Sequence, residues 1–311
     1  MESIAVSGEI KMTAVDQGTI TDVAVEQMSA TPDPRLKQIM EALVRHLHAF
    51  AREVDLTPEE WLEGITFLTA VGQTCTPTRQ EFILLSDTLG LSSLVTSLHD
   101  QRTQSSGTTS SLLGPFYRQD SPDKKLGESI VNDPEVPEIA LYGRVTDTAG
   151  RGIANATVEI WQTDDKGVYD LQKDGAAIDA RARFRTDSEG RYWLRTVTPL
   201  GYLIPMDGPV GDMIRAQKRH GYRPGHIHFL ISAPGYREVV TALYMGYDDH
   251  IDSDTVFGVR APLVVRIDKN NPHNPVPELD GSIHFDFQLS PVSSAGDSGR
   301  VGADPSQILK K

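Results

Sequence analysis

A single cysteine, Cys75, stands in a chain of 311 residues, so no intramolecular disulfide can staple the fold, and a reducing cytoplasm is the expected setting. Long apolar runs are missing too. Nothing approaches the roughly 18 apolar residues a membrane-spanning helix needs, and no such span is expected. Clustered basic residues are scarce: 30 Lys and Arg stand against 43 Asp and Glu, a formal charge of −13. Phosphate binding needs the reverse balance, which argues against nucleic acid as a partner. The first residues carry Glu2, Glu9 and Asp16 and lack a basic stretch followed by an apolar one, so no secretory signal is expected. What remains is ordinary for a globular protein, 39% hydrophobic and 23% charged residues, enough for one large domain or two modest ones.

Residues 1 to 30 scatter isolated valines among polar residues without a sustained period and read as a poorly ordered extension. Folded structure is expected from Thr31-Pro32-Asp33-Pro34, a polar cap followed by proline. Leu36, Ile39, Met40, Leu43, Val44, Leu47 and Phe50 then recur at three and four residues, which predicts an amphipathic helix over 35–54. Thr57-Pro58-Glu59-Glu60 has the form of a capping box opening a second helix through Trp61, Ile65, Leu68 and Val71. Residues 77 to 100 repeat the pattern with Phe82, Leu85, Leu89, Leu94, Val95 and Leu98. His46, His48 and His99 fall at helical spacings that converge on nothing, so structural or surface roles are assigned to them. Residues 31–105 therefore form a helical unit, and the Ser/Thr-rich stretch 101–111 is a linker.

Beyond it the character changes to short β-rich runs separated by turn signals: 139–145, 156–161, 184–186, 192–197, 226–232, 239–244, 263–267 and 284–289. Many short strands predict an antiparallel sandwich or barrel over 106–290. One short helix is expected near 209–217, and residues 291–311 read as a loose tail. The fold class is thus mainly β with an α-helical N-terminal unit.

Within the β region, Arg223-Pro224-Gly225-His226-Ile227-His228-Phe229 places two histidines one residue apart in an apolar run. On a strand they point the same way, and two converging imidazoles can hold one metal. Two half-buried histidines satisfied by backbone carbonyls fit the pattern equally well. Pro224 and Gly225 suit a sharp entry with close backbone approach. Tyr169, in Gly167-Val168-Tyr169-Asp170, and Tyr202, in Gly201-Tyr202-Leu203-Ile204-Pro205, sit in loops that leave strands, where scaffolds display functional side chains. Packing with a hydrogen-bonded hydroxyl is the commoner role for either one alone. Taken with the histidines, they would give a ligand set of hard oxygen and borderline nitrogen without thiolate. Phenols with pKa near 10 stay ionised at neutral pH only on a strongly acidic ion, which is ferric iron. Arg223, three residues before His226, is a fixed cation beside that set, either in an ion pair or stabilising developing negative charge.

These residues carry a resemblance. Leu113-Gly114-Pro115-Phe116-Tyr117, Val158-Glu159-Ile160-Trp161-Gln162, Tyr169, Tyr202 with Ile204-Pro205-Met206-Asp207-Gly208-Pro209, and the Arg223–Phe229 run together resemble the intradiol ring-cleavage dioxygenases over about residues 33 to 290. The resemblance implies non-haem Fe(III) held by Tyr169, Tyr202, His226 and His228, with an aromatic diol or triol and O2 as reactants. It implies that Tyr202 leaves the metal when substrate binds and takes a substrate proton, and that Arg223 stabilises the electron-rich ring. It implies a homodimer through the N-terminal helices, around an apolar groove able to hold a lipid.

Asp33-Pro34-Arg35-Leu36, Arg45-His46-Leu47-His48, the run 79–90 and the run 251–259 are similar to the hydroxyquinol-cleaving members of that family. By that matching Leu84, Asp87, Leu113, Gly114, Pro115, Phe116, Ile204, Pro205, Arg223 and Val256 would line the ring pocket. Asp87 could accept a hydrogen bond from a third ring hydroxyl; a surface or capping role is its plainer reading. Ala242 stands where catechol-cleaving members usually carry glutamine, which weakens a plain catechol or chlorocatechol reading. A metal-free β-sandwich binding module is the alternative outside the enzymes.

Overall fold

A computed structural model describes residues 15–76, 79–102, 107–173, 175 and 177–292. The expectations for residues 1–14, for 103–106 of the linker and for 293–311 of the tail lie outside the described residues. The chain divides into two compact units, 1–68 and 69–311.

In the first unit, α1 (Ile20–Glu26) lies inside the stretch expected to be an extension. Arg52 ties it to the next helix by donating to Gln17 O and Thr21 Oγ1, both at 2.9 Å. The helix predicted over 35–54 is α2 (Pro34–Glu53), capped by Asp33, whose carboxylate accepts from the N–H groups of Arg35 and Leu36. Leu36, Ile39, Leu43, Leu47 and Phe50 make its apolar stripe, and all stay exposed. The expected capping box opens α3 (Pro58–Thr74): Glu60 N donates to Thr57 Oγ1 and Thr57 N to Glu60 Oε2.

The second unit holds α4 (Glu81–Thr88) and α5 (Leu91–Arg102). The periodic stretch 77–100 is broken between them by Gly90, at φ +76°, a backbone state glycine adopts without strain. Both helices pack with the β region. The backbone N–H of Val210 donates to Glu81, which is fully buried, and Ser93 Oγ donates to Phe257 O at 2.8 Å. Apolar spacing alone marked these helices without saying which layer they cover.

The β strands are β1 (Glu138–Asp147), β2 (Thr157–Gln162), β3 (Arg181–Arg185), β4 (Arg191–Val197), β5 (Tyr202–Leu203), β6 (Tyr222–Arg223), β7 (His226–Ser232), β8 (Val239–Met245), β9 (Val264–Val265), β10 (Ser282–His284) and β11 (Phe287–Leu289), with α6 (Pro209–Ala216) between β5 and β6. One sheet runs β3-β2-β7-β8-β9; in the other, β1 pairs with β4, β10 and β11. The sheets are mixed, which corrects the expectation of a purely antiparallel sandwich. β10 and β11 run parallel to β1, and β9 runs parallel to β8. Long connections let late segments return to an edge in either direction, so local turn signals do not set their sense. Ile227, Phe229 and Ile231 of β7 join Val158 and Ile160 of β2, Leu141 of β1 and Leu194 of β4 in one buried cluster between the sheets. Each such side chain contributes ~1.5–3 kcal/mol. That alternation leaves His226 and His228 on the opposite face of β7, away from the sandwich core. Among the described residues no single helix is long and apolar enough to cross a membrane.

Candidate metal centre and adjoining pocket

Both histidines are buried, at 1% exposure each, and their Nε2 atoms lie 3.1 Å apart. His226 Nδ1 is 2.7 Å from Pro224 O. A carbonyl can only accept, so Nδ1 carries the proton and Nε2 presents its lone pair. Burial first, then the nearby Arg223 cation, pulls the His226 pKa well below the ordinary value; burial, His226 and Arg223 do the same to His228. Both rings are neutral, the state a metal ligand needs.

Two phenols lie beside the imidazoles. Tyr169 Oη lies 3.4 Å from His226 Nε2, and Tyr202 meets Tyr169 edge-on, with ring centroids 5.5 Å apart. Tyr169 is held from three sides. Its N–H donates to Gln172 Oε1 at 2.9 Å, and Phe116 stacks on its ring at 4.3 Å. The next residue, Asp170, forms a buried ion pair with Arg181, whose Nη1 also donates to Phe116 O at 3.1 Å. Burial, then the neighbouring Tyr202, raises the Tyr169 pKa well above the ordinary phenol value. Tyr202 is placed by the short β5–β6 pair, opposite Arg223. Gly225 permits this crossing, since a Cβ there would lie 2.4 Å from Pro199 O.

Metal bonds of about 2.0–2.1 Å at angles of ~90–110° set ligand atoms about 2.9–3.4 Å apart. The separations of 3.1 and 3.4 Å found here match. Among the described residues no group of three or more His, Cys, Asp and Glu side chains could hold a metal ion. The donor set, two neutral imidazoles with two oxygens and no sulfur, fits a hard, highly charged ion such as Fe(III).

Arg223 is buried beside these groups. Its Nη1 lies 3.1 Å from His226 Nε2 and donates to Tyr202 Oη at 3.3 Å, while Nε and Nη2 donate to Asp254 at 3.1 and 3.3 Å. Burial pulls its pKa down, but Asp254, Tyr202 and Tyr244 together outweigh that and hold it well above the ordinary arginine value. Asp254 also accepts the N–H groups of Val256 and Gly258, folding the 254–258 loop around the guanidinium. The ion pair and the position beside the donors, read as alternatives from sequence, occur together.

A cavity adjoins the centre, lined by Leu84, Asp87, Gly114, Pro115, Phe116, Ile204, Pro205, Arg223 and Val256 together with Tyr202 and Leu112. Leu113 is not among its lining residues. Neighbouring side chains in an extended stretch face opposite ways, and buried Leu112 takes the place expected for Leu113. Asp87 is buried in this wall; burial pushes its pKa up to about 6 against a hydrogen bond from Ser92 and the Arg223 charge. Ala242 pairs directly with His228 across β7 and β8. Sequence reasoning left two further residues without a role. Trp161 stacks on His228 with centroids 5.0 Å apart and planes 7° off parallel. Asp254 was one acid among 43, with nothing local to mark it as the partner of Arg223.

Two family models match the chain: "Dioxygenase" over residues 112–291 and "Catechol dioxygenase N terminus" over 33–107. The chain is 43% identical over 284 residues to a 6-chlorohydroxyquinol 1,2-dioxygenase of Cupriavidus pinatubonensis, covering 90% of this chain and 100% of the relative. It is 43% identical over 275 residues to an intradiol ring-cleavage dioxygenase of Aspergillus niger, 87% of this chain and 83% of that one. The crystal structure of a hydroxyquinol 1,2-dioxygenase from Pseudomonas putida superposes with a TM-score of 0.82 at 43% identity, covering 89% of this chain and 99% of the other.

Proposed function

The chain belongs to the intradiol ring-cleavage dioxygenases, and from that premise we propose that it opens the ring of hydroxyquinol (1,2,4-trihydroxybenzene) between its adjacent hydroxyls, using O2, to give 3-hydroxy-cis,cis-muconate or its keto form maleylacetate. The observation that carries this reading is that Tyr169 Oη and His228 Nε2 lie 3.4 and 3.1 Å from His226 Nε2, with Tyr202 lining the adjoining pocket.

Members of this family use non-haem iron. Here Tyr169, Tyr202, His226 and His228 would hold it as Fe(III). Ferric iron supplies Lewis acidity toward a bound catecholate and makes its ring reactive toward dioxygen. The chain's own residues do the rest. Tyr202 Oη takes the proton of a substrate hydroxyl. Arg223, fixed by Asp254, faces that oxygen and stabilises negative charge gathering on the ring, as a preorganised cation costs no reorganisation during reaction. Asp87 accepts the hydrogen bond of the third hydroxyl from the opposite wall. Leu84, Leu112, Ile204 and Val256 exclude water around the ring.

The exposed apolar stripe of α2 supports pairing of two copies through their N-terminal helices, with an apolar groove between them able to hold a lipid. A stripe of this size on a helix marks an interaction surface.

Oxygen uptake by the iron-loaded protein on hydroxyquinol, catechol and chlorocatechol tests the reading. The highest kcat/KM belongs to hydroxyquinol, and a preference for catechol would replace the proposed substrate. A colourless, iron-free protein with an intact fold would replace the enzyme with a binding module.

A further inference from the structure

A second cleft, of about 450 Å3, opens behind the pocket wall. Arg223 lines the ring pocket and Asp254 lines this cleft, so their ion pair stands between the two. Lys218, Arg219 and His220, which follow α6, line the cleft together with Arg260. Positive side chains gathered at one place run against the trend of a chain at −13. Of the two lining carboxylates, Asp252 and Asp254, the latter is already bound to Arg223.

Both arginines are held by uncharged oxygens. Arg219 donates to the carbonyls of Thr88 and Thr255 at 2.9 and 2.8 Å and lies over the Phe257 ring at 5.3 Å. Arg260 donates to Ser93 Oγ at 2.6 Å and Phe257 O at 3.2 Å. Neutral oxygens orient these guanidiniums without cancelling their charge, which leaves it for an incoming anion. An independent sign of a ligand is Thr255. It is 97% buried, being 3% exposed, and its Oγ1 makes no hydrogen bond. A buried hydroxyl without a partner is costly and is found where something else is meant to pair with it. Ile251, Phe257 and Val259 add apolar surface to the same lining.

We propose that this cleft is a binding site for a short-chain dicarboxylate, one carboxylate toward Lys218, Arg219 and His220, the other toward Arg260, with Thr255 Oγ1 donating to the ligand. The volume and the apolar part of the lining suit a carbon skeleton better than a lone phosphate. Opening a ring between two hydroxylated carbons yields a molecule of this class. The site itself rests on the cleft, not on the ring-opening reading, and goes beyond it.

Calorimetric titration of the full-length, iron-loaded protein with maleate tests the proposal, with 4-nitrocatechol present to fill the ring pocket and inorganic phosphate as a second titrant. Maleate binds with the ring pocket filled, more tightly than phosphate. Charge reversal in Lys218→Glu weakens it about tenfold or more, and Thr255→Val weakens it about threefold or more, while thermal melts and the visible absorption of both variants match the wild type. Loss of maleate binding when nitrocatechol is present, insensitivity to both substitutions, or phosphate binding as tight as maleate overturns the proposal. Failure of the ring-opening reading shows elsewhere, as absent colour and absent oxygen uptake, and leaves the maleate titration interpretable.

Discussion

A Cβ built on Gly114 would lie 3.2 Å from Nε2 of His228 and 3.3 Å from its Cε1. The glycine itself sits at φ +73°, where an L side chain costs roughly 1–2 kcal/mol. The backbone of the 112–116 segment is thus pressed against the donor atom proposed to hold iron. Gly114→Ala is expected to lose about 1–2 kcal/mol of stability and to move the imidazole off the site. Iron content and the visible absorption band fall together in that variant; a wild-type band with wild-type iron would show that the contact is slack.

Tyr169→Phe removes one oxygen while keeping the ring that stacks on Phe116. The fold should therefore survive, by circular dichroism, with iron content and tyrosinate-to-iron absorption lowered at least about tenfold, the scale on which even supporting residues of metal sites act. A variant that retains the full band would move the ligand role to another phenol.

Much of this site was legible because its signals are local. The period of two in His226-Ile227-His228-Phe229 places the imidazoles on one face whatever the sheet does, and buried Ile227 and Phe229 dictate which face that is. The α2 helix and the capping box at Thr57 were readable for the same reason. What stayed hidden depends on distant chain segments meeting. No local pattern tells that β10 and β11 lie parallel to β1, that α4 and α5 join the β unit, or that Asp254 rather than another acid anchors Arg223. That Leu112 rather than Leu113 lines the pocket is a matter of which neighbour faces inward, which composition does not reveal.

Arg223→Ala separates the charge of Arg223 from its structural service to Asp254. The single substitution leaves a buried carboxylate unpaired, a loss of about 3–5 kcal/mol. It also removes the cation facing Tyr202, which should slow kcat by about 100-fold or more with iron still bound. Adding Asp254→Asn removes the stranded charge. The double variant is expected to regain most of the lost melting temperature and none of the lost kcat. Recovery of both would mean that Arg223 matters to the fold alone.

Asp87 links the pocket to pH. Its carboxyl is pushed from 3.8 to about 6, burial raising it against the Ser92 hydrogen bond and the Arg223 charge, with Asp254 adding to the rise. A folded pKa above the unfolded one means the folded state holds its proton longer, so stability is lost as pH climbs through the window from 3.8 to about 6. Above that window the ionised group costs about 3 kcal/mol, at 1.36 kcal/mol for each pKa unit. Asp87→Asn should therefore raise the melting temperature at pH 7, with the gain shrinking toward zero as pH falls to 4. Function moves the other way. The ionised carboxylate is the better acceptor for a third hydroxyl, so wild-type KM for hydroxyquinol rises as pH drops below about 6, and the Asn variant loses that pH dependence together with about tenfold in kcat/KM for hydroxyquinol. Catechol, which has no third hydroxyl, should be nearly indifferent to the substitution. Equal losses on both substrates would remove Asp87 from substrate recognition and leave its burial without a purpose in the pocket.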